Sequence, residues 1–92
     1  MAGAPMKVQL YGILRSLAGR KEIASKASTI PQLLSELAEN FGTRMGDYLF
    51  EQDNVESLTV VMNGRVLARS ERAEVILREG DTLKLLSPIG GG

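Results

Sequence analysis

One amphipathic segment, residues 30–41, constrains the fold of this chain more than any other feature of its sequence. Its apolar residues recur with the spacing of a single helix face: Ile30, Leu33, Leu34, Leu37, Ala38 and Phe41. Thr29 precedes the segment as an N-cap residue, with Gln32 three positions later as its capping-box partner. Pro31 is tolerated in the first helical turn, and Gly42 ends the helix. A helix with one apolar stripe must bury it, and a single twisted sheet offers a matching surface.

Short apolar segments of strand length lie on both sides of this helix, at residues 7–11, 21–27, 58–62, 65–67 and 82–86. Asn63-Gly64 separates two of them and indicates a hairpin, because a type I′ turn needs a positive φ at both positions. The order of hairpin, helix and strands predicts an α+β domain with one main helix across a mixed sheet of four or five strands. The ubiquitin-like β-grasp, with the last strand lying centrally beside the first, is the leading arrangement, although element order alone does not fix the topology. We assign this domain to residues 1–87 and a flexible C-terminal Gly-Gly tail to residues 88–92.

The remaining segments are predicted to be connections between these elements. Residues 13–20 form a compact turn in the opening hairpin, and residues 70–74 form a polar loop. Residues 43–57 form a long polar connection with room for a short helical turn near residues 48–50. The three side chains of that turn, Tyr48, Leu49 and Phe50, are expected to pack against the core.

Composition excludes several kinds of site. The chain has 92 residues, which suits one domain, and it contains neither Cys nor His. Thiol nucleophiles, disulfides, imidazole bases and nearly all transition-metal sites are thereby excluded, so no bound metal or cofactor is expected. Lys plus Arg equals Asp plus Glu, at 11 each, which argues against nucleic acid or an anionic membrane as a partner. No apolar run approaches the ~18–20 residues of a membrane span, and the absence of Cys fits a reducing compartment such as the cytoplasm.

The C-terminal sequence Gly90-Gly91-Gly92 is the only unusual chemical feature. A glycine tail is thin and mobile enough to thread a narrow channel and present its carboxylate to a buried active site, and Pro88 stiffens its exit from the last strand. An ionised carboxylate is a poor acyl electrophile and needs activation, for which adenylation with ATP is the natural route. The chain has no Walker-type phosphate-binding loop, so a partner enzyme must supply that activation. On the tail alone, an inert frayed end or a tag remnant is slightly favoured.

Four segments of the sequence resemble the MoaD family, the small subunit of molybdopterin synthase. Residues 77–92 resemble its closing segment, which has an acidic turn, a hydrophobic strand, Pro, an aliphatic residue, a small residue and Gly-Gly. The matching positions are Asp81, Pro88, Ile89, Gly90, Gly91 and Gly92. Residues 11–19, 29–34 and 61–65 are similar to the family's opening, its helix start and its Val-x-Asn-Gly hairpin. Each motif is weak alone, but their order and spacing cover nearly the whole chain.

This resemblance implies a sulfur carrier of the MoaD/ThiS type and not a stand-alone enzyme. A ubiquitin-activating-like adenylyltransferase of the MoeB/ThiF type would use ATP to adenylate Gly92, with Gly91 and Gly90 supplying reach and thinness. The acyl-adenylate would then become a C-terminal thiocarboxylate. In the molybdenum or tungsten cofactor branch, the thiocarboxylate donates sulfur to a pyranopterin inside the large synthase subunit of the MoaE type; in the thiamin branch the product is a thiazole. The Leu-Arg-x-Leu-Ala-Gly segment favours the molybdopterin branch.

Strand alternation predicts which sheet face meets the helix. The helix-facing set is Val8, Leu10, Leu58, Val60, Met62, Leu83 and Leu85. The opposite face then carries the candidate partner-binding residues, which are Tyr11, Val61 and Leu86 together with Pro88, Ile89 and Gly90 of the tail. An equally weighted alternative is that loops or a one-residue register error cover this face.

The charged residues give weaker indications. Four basic residues are candidate contacts for acidic groups of an activating enzyme: Arg15, Arg65, Arg69 and Lys84. Solvated surface charge is the favoured interpretation of each taken singly. Asp81 is assigned to a turn and not to catalysis.

Three functions therefore remain open at the level of the sequence. Sulfur transfer through Gly92 is the leading one. Its pathway is molybdopterin synthesis or, as an alternative, thiamin or another sulfur-containing metabolite. The second function is a ubiquitin-like modifier joined to lysines through Gly92. The third is a plain interaction domain with an inert tail.

Overall fold

The computed structural model describes residues 6–51 and 58–87, and its strands form one five-stranded sheet. The elements in chain order are β1 (Met6–Tyr11), α1 (Ile13–Ala18), β2 (Glu22–Ser25), α2 (Ile30–Phe41), α3 (Thr43–Gly46), a π-helical turn (Asp47–Glu51), β3 (Thr59–Met62), β4 (Arg65–Val66), α4 (Arg69–Arg72) and β5 (Thr82–Leu86).

The sheet is mixed, in the order β2-β1-β5-β3-β4, so the last strand occupies its centre. β5 runs parallel to β1, from the pair Lys7 and Thr82 to the pair Tyr11 and Leu86, and antiparallel to β3. The other pairs are antiparallel. A parallel pair needs a crossover connection of a dozen or more residues, and α2 lies in that connection. The predicted placement of the last strand beside the first is confirmed.

The predicted main helix is confirmed as α2. The Thr29 hydroxyl accepts a hydrogen bond from the Gln32 amide at 3.2 Å. The Gln32 side chain accepts a hydrogen bond from the amide of Ser28 at 2.8 Å. In a standard capping box this bond comes from the amide of the N-cap residue itself, which here is Thr29. Gly42 ends the helix with a φ of 88°, a conformation that favours glycine. The stripe is buried at Ile30, Leu33, Leu34 and Leu37.

The predicted division of the sheet into two faces is also confirmed. Alternate strand residues are buried, and they belong to one core with the α2 stripe: Val8, Leu10, Leu58, Val60, Leu83 and Leu85. Met62, predicted in the same set, is partly buried against that core. At the Asn63-Gly64 turn, both residues have a positive φ, of 51° and 87°, as a type I′ hairpin requires.

Two of the predicted connections were wrong, because they contain unpredicted helix. Residues 13–18 form α1 and not a turn, and residues 69–72 of the third connection form α4. The prediction for residues 43–57 was right in part, because the π-helical turn confirms the short helical turn expected near residues 48–50, where Tyr48 and Leu49 are buried. In the second connection, α3 and the π-helical turn cover residues 43–51, and residues 52–57 lie outside the described part.

Such short helices are unstable alone. Buried side chains stabilise α1, α3 and the π-helical turn, whereas α4 buries none and is capped by the Glu71 side chain at the Ala68 amide. Leu14, Met45 and Leu49 are fully buried, whereas Phe50, expected in the core, is 48% exposed.

Replacing Leu85 and its neighbour Leu86 tests this division of the sheet into two faces. Leu85→Ala is expected to lower the free energy of unfolding by about 2–5 kcal/mol, because the side chain is fully buried and its removal leaves a cavity. Leu86→Ala is the control and should cost roughly 1 kcal/mol or less, because that side chain is partly exposed on the other face. Urea unfolding monitored by circular dichroism measures both. Equal losses would contradict the assignment of faces.

Candidate functional site

The candidate site lies at the C-terminal end of β5, where the glycine tail begins. β5 ends at Leu86, and Ser87 is the last residue that the structure describes. The five tail positions predicted to carry the chemistry or to contact partners, Pro88, Ile89, Gly90, Gly91 and Gly92, lie outside the described residues. What the structure describes is therefore the point of attachment of the tail and the surface around it.

Ser87 ties the end of β5 to the junction of β1 and α1. Its hydroxyl accepts a hydrogen bond from the Ile13 amide at 2.8 Å and donates one to the Tyr11 carbonyl at 3.2 Å. Ser87 is only 8% exposed, so both hydrogen bonds are shielded from water. Tyr11 and Leu86 form the last pair of the β1–β5 ladder. The Ser87 hydroxyl thus adds one further link beyond that ladder, and we call this link the Ser87 bridge.

Gly12 makes the Ser87 bridge possible. Its φ of 65° and ψ of −134° turn the chain from β1 into α1, in a region that L side chains rarely adopt. A Cβ at this position would lie 2.3 Å from the Ser87 Oγ. Gly12 offers no side chain to cap α1, and an amide in the first turn of a helix has no partner within that helix. Ser87 accepts from the first such amide, that of Ile13.

The sheet face opposite α2 carries the three predicted partner-binding residues that the structure describes. Tyr11 and Leu86 are direct neighbours on β1 and β5, and Val61 lies one row away on β3, opposite Lys84. Tyr11 is 39% exposed, and the Val61 and Leu86 side chains are half-buried. Val66, which is 62% exposed, is paired with Val61. We call this group the outer face: Tyr11, Val61, Val66, Lys84 and Leu86.

Sequence reasoning missed Val66, Gly12 and Ser87. Val66 was recoverable, because the Asn63-Gly64 turn sets the hairpin register and places it opposite Val61. The Ser87 bridge was not, since its partners are 74 and 76 residues away in sequence. Only the parallel pairing of β1 with β5 brings them together.

The basic residues near the sheet differ in their partners. Arg65 donates to a Glu71 carboxylate oxygen at 3.1 Å, so this candidate enzyme contact already has an acidic partner within the chain. Lys84 is exposed in the middle of the outer face, between Gln9 and Val61. Within residues 6–51 and 58–87, neither of the two ion pairs includes Lys84. The outer face therefore combines apolar side chains with the cation of Lys84, and the polar residues Gln9 and Thr59 lie beside it on the same side of the sheet.

The pKa of the Glu71 carboxyl is lowered from its ordinary value of 4.5. The main cause is the hydrogen bond from the Ala68 amide, 2.7 Å from a carboxylate oxygen, and the second is the hydrogen bond from Arg65. Both donors favour the charged form of the carboxyl group. Glu71 thereby joins the first turn of α4 to β4.

A second side-chain bridge holds the opposite end of β5. The Asn63 side chain accepts from the Thr82 amide at 2.9 Å and donates to an Asp81 carboxylate oxygen at 3.1 Å. The other Asp81 oxygen accepts from the Arg78 amide at 2.9 Å. Asp81 therefore belongs to a turn, as predicted. We call this link the Asn63 bridge; it lies at the start of β5, and the Ser87 bridge lies at its end.

Two further observations complete the description of the surface. Within residues 6–51 and 58–87, no group of three or more Asp or Glu side chains is placed to hold a metal ion. In the same ranges, no helix is both long enough and apolar enough to cross a membrane.

Comparison with known proteins places this geometry in context. A family model described as the ThiS family matches residues 8–92. The small archaeal modifier protein 1 of Methanosarcina acetivorans has a similar structure, with a TM-score of 0.74, 23% identity and 100% of both chains covered. A putative molybdopterin converting factor subunit 1 from Pyrococcus furiosus gives a TM-score of 0.65 and 20% identity, covering 94% of this chain and 99% of that one.

A chain from the complex of subunits 1 and 2 of the molybdopterin-converting factor of Helicobacter pylori is also similar. Its TM-score is 0.60 at 18% identity, and 95% of this chain and 97% of that one are covered. No curated protein sequence matched the chain. At these identities the likeness to solved structures concerns the fold, and it confirms the predicted ubiquitin-like β-grasp.

A double-mutant cycle tests the Ser87 bridge. Ser87→Ala should cost about 1–3 kcal/mol of unfolding free energy, because it removes two part-buried hydrogen bonds to backbone groups. Gly12→Ala should cost a similar roughly 1–3 kcal/mol from its backbone conformation alone, and its Cβ would also force the serine hydroxyl away. Because both changes break the same bridge, the double variant should lose less than the sum. Urea unfolding measures all three, and strict additivity would contradict this geometry.

An NMR titration tests the arrangement around Glu71. The carboxyl carbon of Glu71 should titrate below pH 4.5 in the folded protein, and the same carbon in urea-unfolded protein is the reference. Because the folded pKa is the lower one, Glu71 stabilises the fold above its unfolded pKa, and that stabilisation is lost as the pH falls through the folded pKa. Arg65→Ala should raise the midpoint only partway, since the hydrogen bond from Ala68 remains. A folded midpoint equal to the unfolded one would contradict the geometry.

Proposed function

Because this chain belongs to the ThiS family, a family of small ubiquitin-like sulfur carriers and not of catalytic enzymes, we propose that it carries sulfur as a thiocarboxylate on Gly92. The observation that carries the proposal is the adjacency of the glycine tail to an exposed apolar face. The last described residue before the tail, Ser87, follows Leu86 of that face directly. A partner that docks on the outer face is therefore within reach of the terminal carboxylate.

The proposed chemistry takes place in two steps, and a partner enzyme of the MoeB/ThiF type catalyses the activation. A carboxylate oxygen of Gly92 attacks the α-phosphorus of ATP, pyrophosphate leaves, and an acyl-adenylate forms. Hydrosulfide supplied by a sulfur donor then attacks the acyl carbon, AMP leaves with the bridging oxygen, and loss of the S–H proton gives the thiocarboxylate. The chain contributes the acyl group and a docking surface, and it needs no bound cofactor of its own.

The molybdopterin branch is the pathway that we favour for the sulfur. The closing segment, the opening and the hairpin of the sequence resemble the small subunit of molybdopterin synthase. Support also comes from the fold shared with subunit 1 proteins of molybdopterin converting factors, one of which is in complex with a second subunit. The proposed acceptor complex therefore contains a large synthase subunit of the MoaE type, in whose active site the tail delivers sulfur to a pyranopterin.

We assign the docking role to the outer face together with Pro88, Ile89 and Gly90 of the tail. Tyr11 and Leu86 are paired neighbours, and Val61 lies one row away on the next strand. Lys84 is paired with Val61 on the same face, so a fitting partner surface has apolar groups and a carboxylate for the lysine. Such a contact also selects among partners, because a basic residue at the same position would repel the lysine.

A protein modifier is the second candidate, since conjugation begins with the same adenylation of a terminal glycine. It is supported by the shared fold with a small archaeal modifier protein over the full length of both chains. The two candidates differ in the nucleophile that attacks the acyl-adenylate. Sulfur gives a thiocarboxylate, whereas a lysine amine of another protein leads to an isopeptide bond.

Intact-mass spectrometry tests the proposed function. The chain incubated with a MoeB/ThiF-type enzyme, ATP and a sulfur donor should gain the mass difference between one sulfur and one oxygen. The matched controls are a chain lacking Gly91 and Gly92 and a chain with an amidated C-terminus, neither of which should change. If all three remain at their starting masses, the chain is not a substrate for sulfur transfer. Adducts joined to lysines, without any thiocarboxylate, would favour the modifier.

Charge substitutions on the surface test the docking role. Leu86→Glu should raise the KM of the activating enzyme for this chain by about tenfold or more, equivalent to roughly 1.4 kcal/mol of lost binding, because a carboxylate is placed in the apolar outer face. Ile76→Glu is the control, since Ile76 is 53% exposed and lies outside the sheet. Its KM should be unchanged. Equal effects of the two substitutions would argue against docking on the outer face.

A further inference from the structure

We propose that Ser87 is a positioning residue for the tail, because its bridge to the β1–α1 junction sets where and in which direction residues 88–92 leave the sheet. This inference rests on the proposed function, in which the tail must deliver its carboxylate to a partner's active site. It adds to that function a device within this chain that orients the reacting group before a partner binds.

The last residue pair between β5 and β1 lies directly before Ser87. Leu86 is paired with Tyr11 on one side and with Thr59 on the other. Beyond Tyr11, the chain turns at Gly12 into α1 and no longer offers a parallel strand. At this point the side chain of Ser87 adds two hydrogen bonds, one to the Tyr11 carbonyl and one from the Ile13 amide.

The bridge restrains the rotation of Ser87. Its hydroxyl donates its one proton and accepts one hydrogen bond, and the residue is 8% exposed. Reorientation of the residue would break both part-buried hydrogen bonds. The Gly12 backbone lies so close that a single Cβ there would meet the hydroxyl at 2.3 Å. The absence of a side chain at Gly12 therefore leaves room for the observed conformation of the Ser87 side chain.

A fixed attachment point matters because it sets the origin from which the tail reaches. Five residues reach at most about 17 Å when fully extended, so a displacement of residue 87 shifts the whole region that is within reach of the terminal carboxylate. Misplacement of a reacting group by about 1 Å can cost up to about a hundredfold in rate. Loss of the bridge should therefore slow adenylation of the bound chain, whereas docking through the outer face, on the opposite side of the sheet from the core, stays the same.

The matched control is the Asn63 bridge at the other end of the same strand. Asn63→Ala removes side-chain hydrogen bonds to the Thr82 amide and to Asp81, just as Ser87→Ala removes those to Ile13 and Tyr11. Both variants loosen one end of β5, but only one of those ends leads into the tail. Ser87→Thr keeps the hydroxyl and serves as the conservative rescue.

The first test needs no partner. The chain has no natural Cys, so Gly92→Cys takes a single nitroxide label, and paramagnetic broadening of the backbone amides maps the space that the tail end visits. Ser87→Ala should change the broadening pattern, and Asn63→Ala and Ser87→Thr should keep the pattern of the parent. An unchanged pattern in Ser87→Ala, with folding confirmed by its amide spectrum, would overturn the inference.

The second test is kinetic and uses the unlabelled chain with its activating enzyme. Ser87→Ala should lower kcat for adenylation by about tenfold or more with KM within about twofold of the parent value. Ser87→Thr should restore most of the rate, and Asn63→Ala should match the parent. Equal slowing in Ser87→Ala and Asn63→Ala would overturn the inference. Loss of stability of the fold would then explain the lower kcat without any role in positioning the tail. If the parent chain itself is not adenylated, the proposed function fails, and the label measurement alone decides the role of Ser87.

Discussion

The parallel pairing of β1 with β5 is the interaction on which the rest of the structure depends. Five residue pairs, from Lys7 with Thr82 to Tyr11 with Leu86, join the beginning of the chain to its end. Two parallel strands cannot be joined by a tight turn, so the intervening chain must cross over the sheet, and α2 buries its apolar stripe in doing so. The same pairing brings the end of β1 beside the end of β5, where Ser87 meets the turn at Gly12.

Successive residues of the central strand β5 point alternately into the core and onto the outer face, so different residues serve stability and the proposed recognition. Leu83 and Leu85 are fully buried in the core, and Lys84 and Leu86, their neighbours in sequence, lie on the other face. Substitution at the outer positions can therefore change the partner with little effect on the core, and substitution at the inner positions does the reverse. Because β5 also ends at the tail, one strand joins the core, the proposed docking surface and the proposed acyl group.

A carrier of this kind contributes the placement of its terminal carboxyl group and no catalytic side chain. The proposed reactions take place on a terminal carboxyl group, and the activating groups belong to partners. The contribution of the fold is the placement of that carboxyl group relative to a surface that partners can bind. The Ser87 bridge and the Asn63 bridge hold the two ends of the strand that makes this placement. The first of them lies directly before the tail.

The sequence by itself determined the elements whose causes are local. The helix with its Thr29 cap, the Asn63-Gly64 turn and the alternation of buried and exposed strand residues follow from interactions between residues close in the chain. The glycine tail and the family motifs were also visible there. Only the tertiary structure decided α1 and α3, because burial of Leu14 and Met45 against distant residues stabilises turns that their own sequence leaves marginal. It likewise decided the Ser87 bridge, whose partners are more than seventy residues away and meet only because the first and last strands pair side by side.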